Sequence, residues 1–331
     1  MKRSKIILPI LAAAGILGIA SQSVLAQTTI FSDTFGNGST VQTTATPPTA
    51  NSTTYEWFQQ GGTPTAPTIV PGDLHLIGRT TSSSIAEVQA RFTTAPVTLS
   101  TVGDSINFTI VFTDTQSIFP AGTNSTLNIG LFNSGGTDPV TGVRLDASGS
   151  ATGGAVGWNG YVARIGDTGP TSANSQIFTR TPQGAGKTNP NQSQDVLFNG
   201  ASGGATFTNP NGTTLATTGG PLDGLTQGNT YTLSYTISLS APGTLTINNV
   251  LTDSGNNVLI TQTANTSSSI ETTYDALAFG WRYTGAPAAN SVDVSSITVL
   301  DNIAAIPEPS VFALGGLGAL ALSRHLRRRR A

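Results

Sequence analysis

The chain has no cysteine. That excludes a disulfide framework, a thiol nucleophile and any cysteine-ligated metal. Histidine is almost as scarce, with only His75 and His325. A histidine-rich zinc site is therefore excluded too. A serine triad would have to take its base from His75, which stands between Leu74 and Leu76 and reads as a strand residue on a polar face. Charged residues make up only 10% of the chain, and between the two ends Lys187 is the single lysine. No stretch of 12 residues between the ends shows helical periodicity, and no internal repeat is present.

The sparse charge is unevenly placed. Lys2, Arg3 and Lys5 open the chain, and Arg324, Arg327, Arg328, Arg329 and Arg330 close it. Residues 27–306 carry seven basic and sixteen acidic side chains, a net charge of −9. Such a surface repels phosphate backbones, so nucleic acid is excluded as a partner. About 280 residues suffice for one sizeable core, which without disulfides must hold by packing or by bound ions.

Both termini carry apolar runs. After Lys5 comes Ile6 to Ala20, then Ser23-Val24-Leu25-Ala26-Gln27. Basic, apolar and small residues in that order form a secretory signal peptide, with the cut expected between Ala26 and Gln27. An uncleaved anchor is the alternative, but the core of about 15 residues falls short of the ~20 a spanning helix needs. At the other end Pro307-Glu308-Pro309 precedes an apolar run from Val311 to Leu322, and the arginines follow. A helix over that run would be only ~18 Å long at ~1.5 Å per residue. Extended from Ser310 to Leu326 it nears the lower limit for spanning, with Arg324 reaching the headgroups. The basic cluster Arg327, Arg328, Arg329 and Arg330 after the span places the C-terminus in the cytoplasm, while the signal peptide sends the body out.

Pro307-Glu308-Pro309, the apolar run and the arginine-rich end resemble the PEP-CTERM sorting domain of Gram-negative bacteria that make exopolysaccharide. The likeness covers about 25 residues and has all three parts in order; Ile306 stands where valine is commoner. It implies that a membrane transpeptidase of the exosortase type recognises residues 307–309, cleaves there and passes the protein to the cell surface or polysaccharide matrix. Signal peptidase and exosortase are then partners during export, with a transient stay in the inner membrane and exopolysaccharide as the final surroundings. The expected organisation is a signal peptide over 1–26, a body over 27–303 and a sorting signal over 304–331, with a terminal hydrophobic helix at each end of the chain. The sorting signal comprises the motif at 307–309, the apolar helix at 311–322 and the basic tail at 324–330.

The body is written in strands. Ile106, Phe108, Ile110 and Phe112 alternate with polar residues, and so do Tyr231, Leu233, Tyr235, Ile237 and Leu239. Leu277, Phe279, Trp281 and Tyr283 repeat every second residue, which assigns Trp281 and Tyr283 to packing. Further strands are expected at Leu74–Gly78, Ile85–Phe92, Leu127–Phe132, Trp158–Ile165, Thr244–Val250, Val258–Thr263 and Val292–Leu300. In the last, Ser295-Ser296 shifts the phase and signals a bulge. Leu245 to Ile247, the turn Asp253 to Asn257, and Val258 to Ile260 read as a hairpin. Val41 to Thr68 and Thr168 to Gly220 are poor in regular pattern. So many strands imply an all-β fold, an antiparallel two-sheet jelly-roll sandwich. Phe31 to Phe35, Val102 to Phe108 and Ile297 to Ile303 give it a resemblance to concanavalin-like and laminin-G-like domains, which implies that the first and last strands pair.

Chemistry is harder to find. Glycosidic hydrolysis needs two carboxylates about 5–9 Å apart. The Glu-x-Asp-x-x-Glu strand of β-glucanases with this fold is absent, and Glu56, Glu87 and Glu271 each stand alone. Glu87 is opposite in phase to Val88 and reads as solvent-facing. No catalytic residue and no cofactor are assigned. A structural calcium ion is the one metal the residues would suit, through Asp33, Asp114, Asp138, Asp253 or Asp301 near Asn and Gly; turn chemistry accounts for the same residues. Trp57, in a segment that reads as a loop, and Trp158 are the candidates for stacking on sugar rings, though tryptophans in a sandwich are more often core. Three functions follow: a structural or adhesive matrix protein, a carbohydrate-binding lectin-like module, and, least supported, a polysaccharide hydrolase.

Overall fold

A computed structural model describes residues 26–36, 56–60, 67–70, 72–78, 84–139, 154–167, 175–180, 196–197, 213–217, 219–283 and 289–303. The expected sorting motif, Pro307, Glu308 and Pro309, lies outside the described residues. So do the basic residues Arg324, Arg327, Arg328, Arg329 and Arg330, both expected terminal helices (the C-terminal one at 311–322) and the stretch before Ala26. Residues Leu25–Ala304 form one compact unit. Among the described residues no helix is long and apolar enough to cross a membrane.

In chain order the strands begin with β1 (Ala26–Asp33), β2 (Glu56–Gln60), β3 (Thr68–Val70), β4 (Asp73–Ile77), β5 (Ser84–Arg91) and β6 (Val97–Thr98). Then come β7 (Ser105–Asp114), β8 (Thr126–Asn133), a 3-10 turn at Gly154–Gly157, β9 (Asn159–Gly166), β10 (Gln176–Arg180) and β11 (Thr214–Thr217). The last are β12 (Thr230–Ala241), β13 (Thr244–Asp253), β14 (Val258–Thr266), β15 (Thr273–Tyr274), β16 (Ala276–Tyr283) and β17 (Ser291–Ile303). The architecture is all-β and every strand pair is antiparallel, as the alternation predicts. One sheet runs β14-β13-β12-β7-β17-β4-β3, with β1 also on β17; the other runs β11-β10-β9-β8-β16-β5-β2. A small third sheet pairs β15 with β6.

The expected pairing of first and last strands is present: Ala26 faces Ile303, and Gln27 faces Asn302. Neither residue's pairing bears on whether the chain is cut between Ala26 and Gln27. The bulge expected at Ser295-Ser296 is present as well, where the register between β17 and β7 shifts between Val294 and Ser296. Its physical effect is to change phase. Val292 and Val294 point inward before it, and Ile297 and Val299 after it. Without the extra residue, either Val292 and Val294 or Ile297 and Val299 would turn to water. The β13–β14 hairpin also forms where the turn residues place it, with Leu251 opposite Ile260.

The core lies between the two large sheets. Ile106, Phe108, Ile110 and Phe112 from β7 meet Leu277, Phe279 and Trp281 from β16 and Leu127, Ile129 and Leu131 from β8. Each such side chain contributes about 1.5–3 kcal/mol on leaving water. A gap of about 10 Å³ remains among Ile110, Phe112, Leu127, Phe279 and Trp281, apolar on every side. Its walls offer a water molecule nothing to bond to, so it reads as a packing defect and not as a ligand site.

Sequence patterning misplaced two regions. Trp57 does not stand in a loop: residues Glu56–Gln60 form β2 on the edge of the second sheet, paired with β5. The pattern-poor stretch 168–220 likewise contains β10 and β11. These are strands of four or five residues at the two margins of the second sheet, too brief for periodicity to register. They extend the sheet beyond β9 on one side and β5 on the other, so β11 and β2 form its edges.

Candidate functional site

The central strands β5, β8, β9 and β16 of the second sheet are buried on both faces. The sheet's outer side carries Glu87, Gln89, Asn128, Arg164, Arg180 and Arg282, all buried. Three of this row have glycine opposite them: Gly280 faces Glu87 and Asn128, and Gly160 faces Arg180. A Cβ on Gly280 would lie 2.3 Å from the carbonyl oxygen of Ala86, and one on Gly160 2.2 Å from that of Leu131, so neither position tolerates a side chain. Over this face lie the 154–158 turn and residues 196–197. Ile85, Phe132, Ala155, Trp158, Val162, Val196 and Leu197 make a second, smaller apolar cluster there.

Charged side chains fasten that cover. The carboxylate of Glu87 accepts the backbone N–H groups of Val196 at 3.1 Å and Leu197 at 3.3 Å, and Gln89 Nε2 at 2.6 Å. Asn128 Nδ2 donates to the Leu197 carbonyl at 2.9 Å. Arg180 donates to the carbonyls of Trp158 and, at 2.9 Å, Ala155. Arg164 donates to Gln176 and sits over the Phe178 ring, 4.8 Å from its centre. Burial pushes the Arg282 guanidinium down to about 9, helped by the charge of Arg164, and burial alone brings Arg164 down to about 10.

Two sequence expectations are corrected here. Glu87 does not face solvent; it is 1% exposed. Phase told correctly that it points away from the core, but the outer face is itself covered. Trp158 is no stacking platform, since its exposure is 0%. Its ring packs on Phe132, 5.9 Å between centres, and its Nε1 donates to the Thr137 carbonyl at 3.0 Å. Trp281 is core, as its phase predicts, and donates to Asn290 Oδ1 at 2.7 Å. The Trp57 side chain lies outside the described residues.

The five candidate calcium aspartates are scattered: Asp33, Asp114 and Asp253 end β1, β7 and β13, Asp138 follows β8 in a loop, and Asp301 lies within β17. Asp33 accepts from Phe35 N, Asp138 pairs with Arg91 at 2.6 Å, and Asp114 accepts from Ile118 N at 3.1 Å. Asp253 accepts from Gly255 N and Asn257 N, both at 2.9 Å, which is the turn chemistry expected of it. Hydrogen bonds from Asn257 hold its carboxyl below the usual range. Asp301 lies on β17; burial raises its carboxyl, bonds from Thr28 lower it, and the charge of Asp104 raises it further. Among the described residues no group of three His, Cys, Asp or Glu side chains could hold a metal ion. His75 pairs with Asp293 on the outer side of the first sheet.

An open cleft of about 270 Å³ lies at the sandwich edge where β14 approaches β10 and β11. Asn159, Thr179, Thr213, Thr266, Ser268, Ser269 and Glu271 supply its polar lining, with Leu215 and Tyr161 beside them. Sequence inspection noted Glu271 only as a solitary glutamate. The fold makes it the one carboxylate among the described lining residues, and places it on the segment between β14 and β15.

Glu271 is held at four points. Its Oε2 accepts from Asn159 Nδ2 at 3.0 Å and its Oε1 from Thr273 N at 2.9 Å. Its backbone N–H donates to the Tyr161 hydroxyl at 2.9 Å, and its carbonyl accepts from the Tyr274 hydroxyl at 2.5 Å. Burial pushes the Tyr161 phenol up to about 12, with the Glu271 charge adding to it and the Glu271 N–H acting against it. Two residues before Glu271, Ser269 holds φ at 47°, in the left-handed region that non-glycine residues rarely adopt. Such strain persists only where the surroundings hold it, and ligand-binding loops are a common setting. The lining offers several hydroxyls, an amide and one acceptor-only carboxylate, which can hydrogen-bond a polyhydroxylated molecule. It lacks the second carboxylate, among the described residues, that acid–base hydrolysis of a glycoside requires.

No protein-family model matches the chain, and no curated protein matches it. Among solved structures it is similar to peanut lectin, at 12% identity, 75% of this chain, 90% of that chain and a TM-score of 0.35. It is similar to the Emp47p carbohydrate recognition domain at 10% identity, 75% and 89% coverage and a TM-score of 0.39. Lectin II from Ulex europaeus shows 12% identity, 75% and 93% coverage and a TM-score of 0.37.

Proposed function

We propose that the protein is an exported, non-catalytic surface or matrix component whose sandwich, read as a concanavalin-like jelly roll, adheres to extracellular polysaccharide through the edge cleft. The supporting observation is the cleft's lining: hydroxyls of Thr179, Thr213, Thr266, Ser268 and Ser269 around one carboxylate and one amide. Its volume of about 270 Å³ falls just below the ~300 Å³ at which small-molecule sites usually begin, which suits one or two sugar rings. Burial of Trp158 and Trp281 argues against recognition by those rings, so adhesion here rests on hydrogen bonds. Delivery rests on the tripartite C-terminus, with Pro307, Glu308 and Pro309 as the processing motif and Arg324, Arg327, Arg328, Arg329 and Arg330 as the cytoplasmic stop.

Two measurements test the two halves. The intact mass of the protein from its host's surface fraction should end near residues 307–309; a mass that retains the arginines at 327–330 refutes sorting by cleavage. Affinity electrophoresis of the full-length protein through gels containing different polysaccharides should show retardation by at least one. Unchanged mobility in all of them leaves a purely structural body.

A further inference from the structure

We infer that Glu271 makes the edge cleft selective for neutral glycans over acidic, uronate-bearing ones. The inference rests on the glycan reading above and adds the ligand's charge class. A carboxylate has about four lone-pair positions. Two are taken by Asn159 Nδ2 and Thr273 N, which also fix the group's orientation. The others are available to accept hydroxyl protons from a bound ring. An ionised carboxylate cannot donate, so a ligand's own carboxylate gains nothing from Glu271 and meets a like charge instead. The remaining described lining is neutral: Asn159, Thr179, Thr213, Leu215, Thr266, Ser268 and Ser269 bring no cation to offset the repulsion. Like charges set side by side in a partly desolvated site cost enough to weaken binding at least tenfold.

The body's net charge of −9 would also disfavour polyanions, so the local effect needs a control with the same charge change elsewhere. Asp253 serves. It lies at the far end of the β13–β14 hairpin, whereas the cleft sits beside Thr266, which pairs with Leu245. Eight residue steps along β13 separate Leu245 from Asp253, about 26 Å at ~3.3 Å per residue, beyond the ~8 Å screening length at physiological salt.

The test is affinity electrophoresis of full-length protein against neutral polymers (dextran, laminarin, galactomannan) and polyuronates (alginate, polygalacturonate). The wild type should bind a neutral polymer at least tenfold more tightly than either polyuronate. Glu271→Gln should narrow that ratio to about threefold or less, and Asp253→Asn should leave it unchanged. Ser268→Lys, at an exposed cleft position that needs no repacking, should shift preference toward polyuronates even if Glu271→Gln folds poorly. Equal wild-type affinity for the two classes overturns the inference while sparing the glycan reading. So does an equal shift in Glu271→Gln and Asp253→Asn. Failure of every polymer to bind the wild type overturns both.

Discussion

Asp114 should make the fold less stable as pH rises through the mildly acidic range. It ends β7 and is fully buried; its Oδ1 accepts from Ile118 N at 3.1 Å, while its Oδ2 has no hydrogen-bond partner among the described residues. Burial pushes its carboxyl up from 3.8 to about 6, against the pull of the Ile118, Gln116 and Ser117 N–H groups. The folded state thus holds the proton more tightly than the unfolded chain. Its contribution is fully present below about pH 4 and is lost as pH rises through about 6. The rise converts to a loss of about 3 kcal/mol at neutral pH, and relaxation or water entry would reduce that to about 1–3 kcal/mol. Asp114→Asn keeps an oxygen for the Ile118 N–H and cannot ionise. Urea unfolding of the wild type and the variant at pH 4 and pH 7 measures the effect. The variant should match the wild type at pH 4 and exceed it by about 1–2 kcal/mol at pH 7. A difference between the two proteins that does not change with pH would refute the reasoning.

Glu87→Ala should lower stability by about 2–4 kcal/mol in chemical denaturation, because it strands the buried N–H groups of Val196 and Leu197; Glu87→Gln, which can still accept one of them, should lose less. Trp158→Ala should cost about 3–5 kcal/mol of stability, as expected for a large buried ring, and leave polysaccharide retardation unchanged under conditions where the variant is folded. Loss of retardation with stability intact would restore Trp158 as a stacking platform.

Long alternating runs were legible from sequence because their inward and outward residues differ in kind. β7, β12 and β16 each present four or five large apolar side chains at every second position, and no other regular structure puts them on one face. The phase slip at Ser295-Ser296 was legible for the same reason. Glu87 and Trp158 were not. Period 2 reports which side of a strand a residue occupies, and it is silent on whether a distant segment covers that side. A signal was available in the small residues Gly280, Gly130, Gly160 and Ala278 on the outward positions, which leave room for a cover. The edge cleft was invisible for a different reason. Asn159, Thr179, Thr213, Thr266 and Glu271 lie up to 112 residues apart, and each alone is an ordinary polar residue.

The sequence by itself determined an all-β body with few charges and no thiols, the strand phases, the β13–β14 turn, the bulge in the last strand and the order of basic residues, apolar runs and the Pro-Glu-Pro triplet at the two ends. These are local properties, set by side-chain alternation, turn stereochemistry and charge order along a few residues. Tertiary structure alone decided which faces are covered, which aspartate has its carboxyl pushed up by burial and which solitary glutamate borders a cleft. Those depend on segments far apart in the chain meeting across the sheets, where burial and desolvation are set by neighbours that no local pattern encodes.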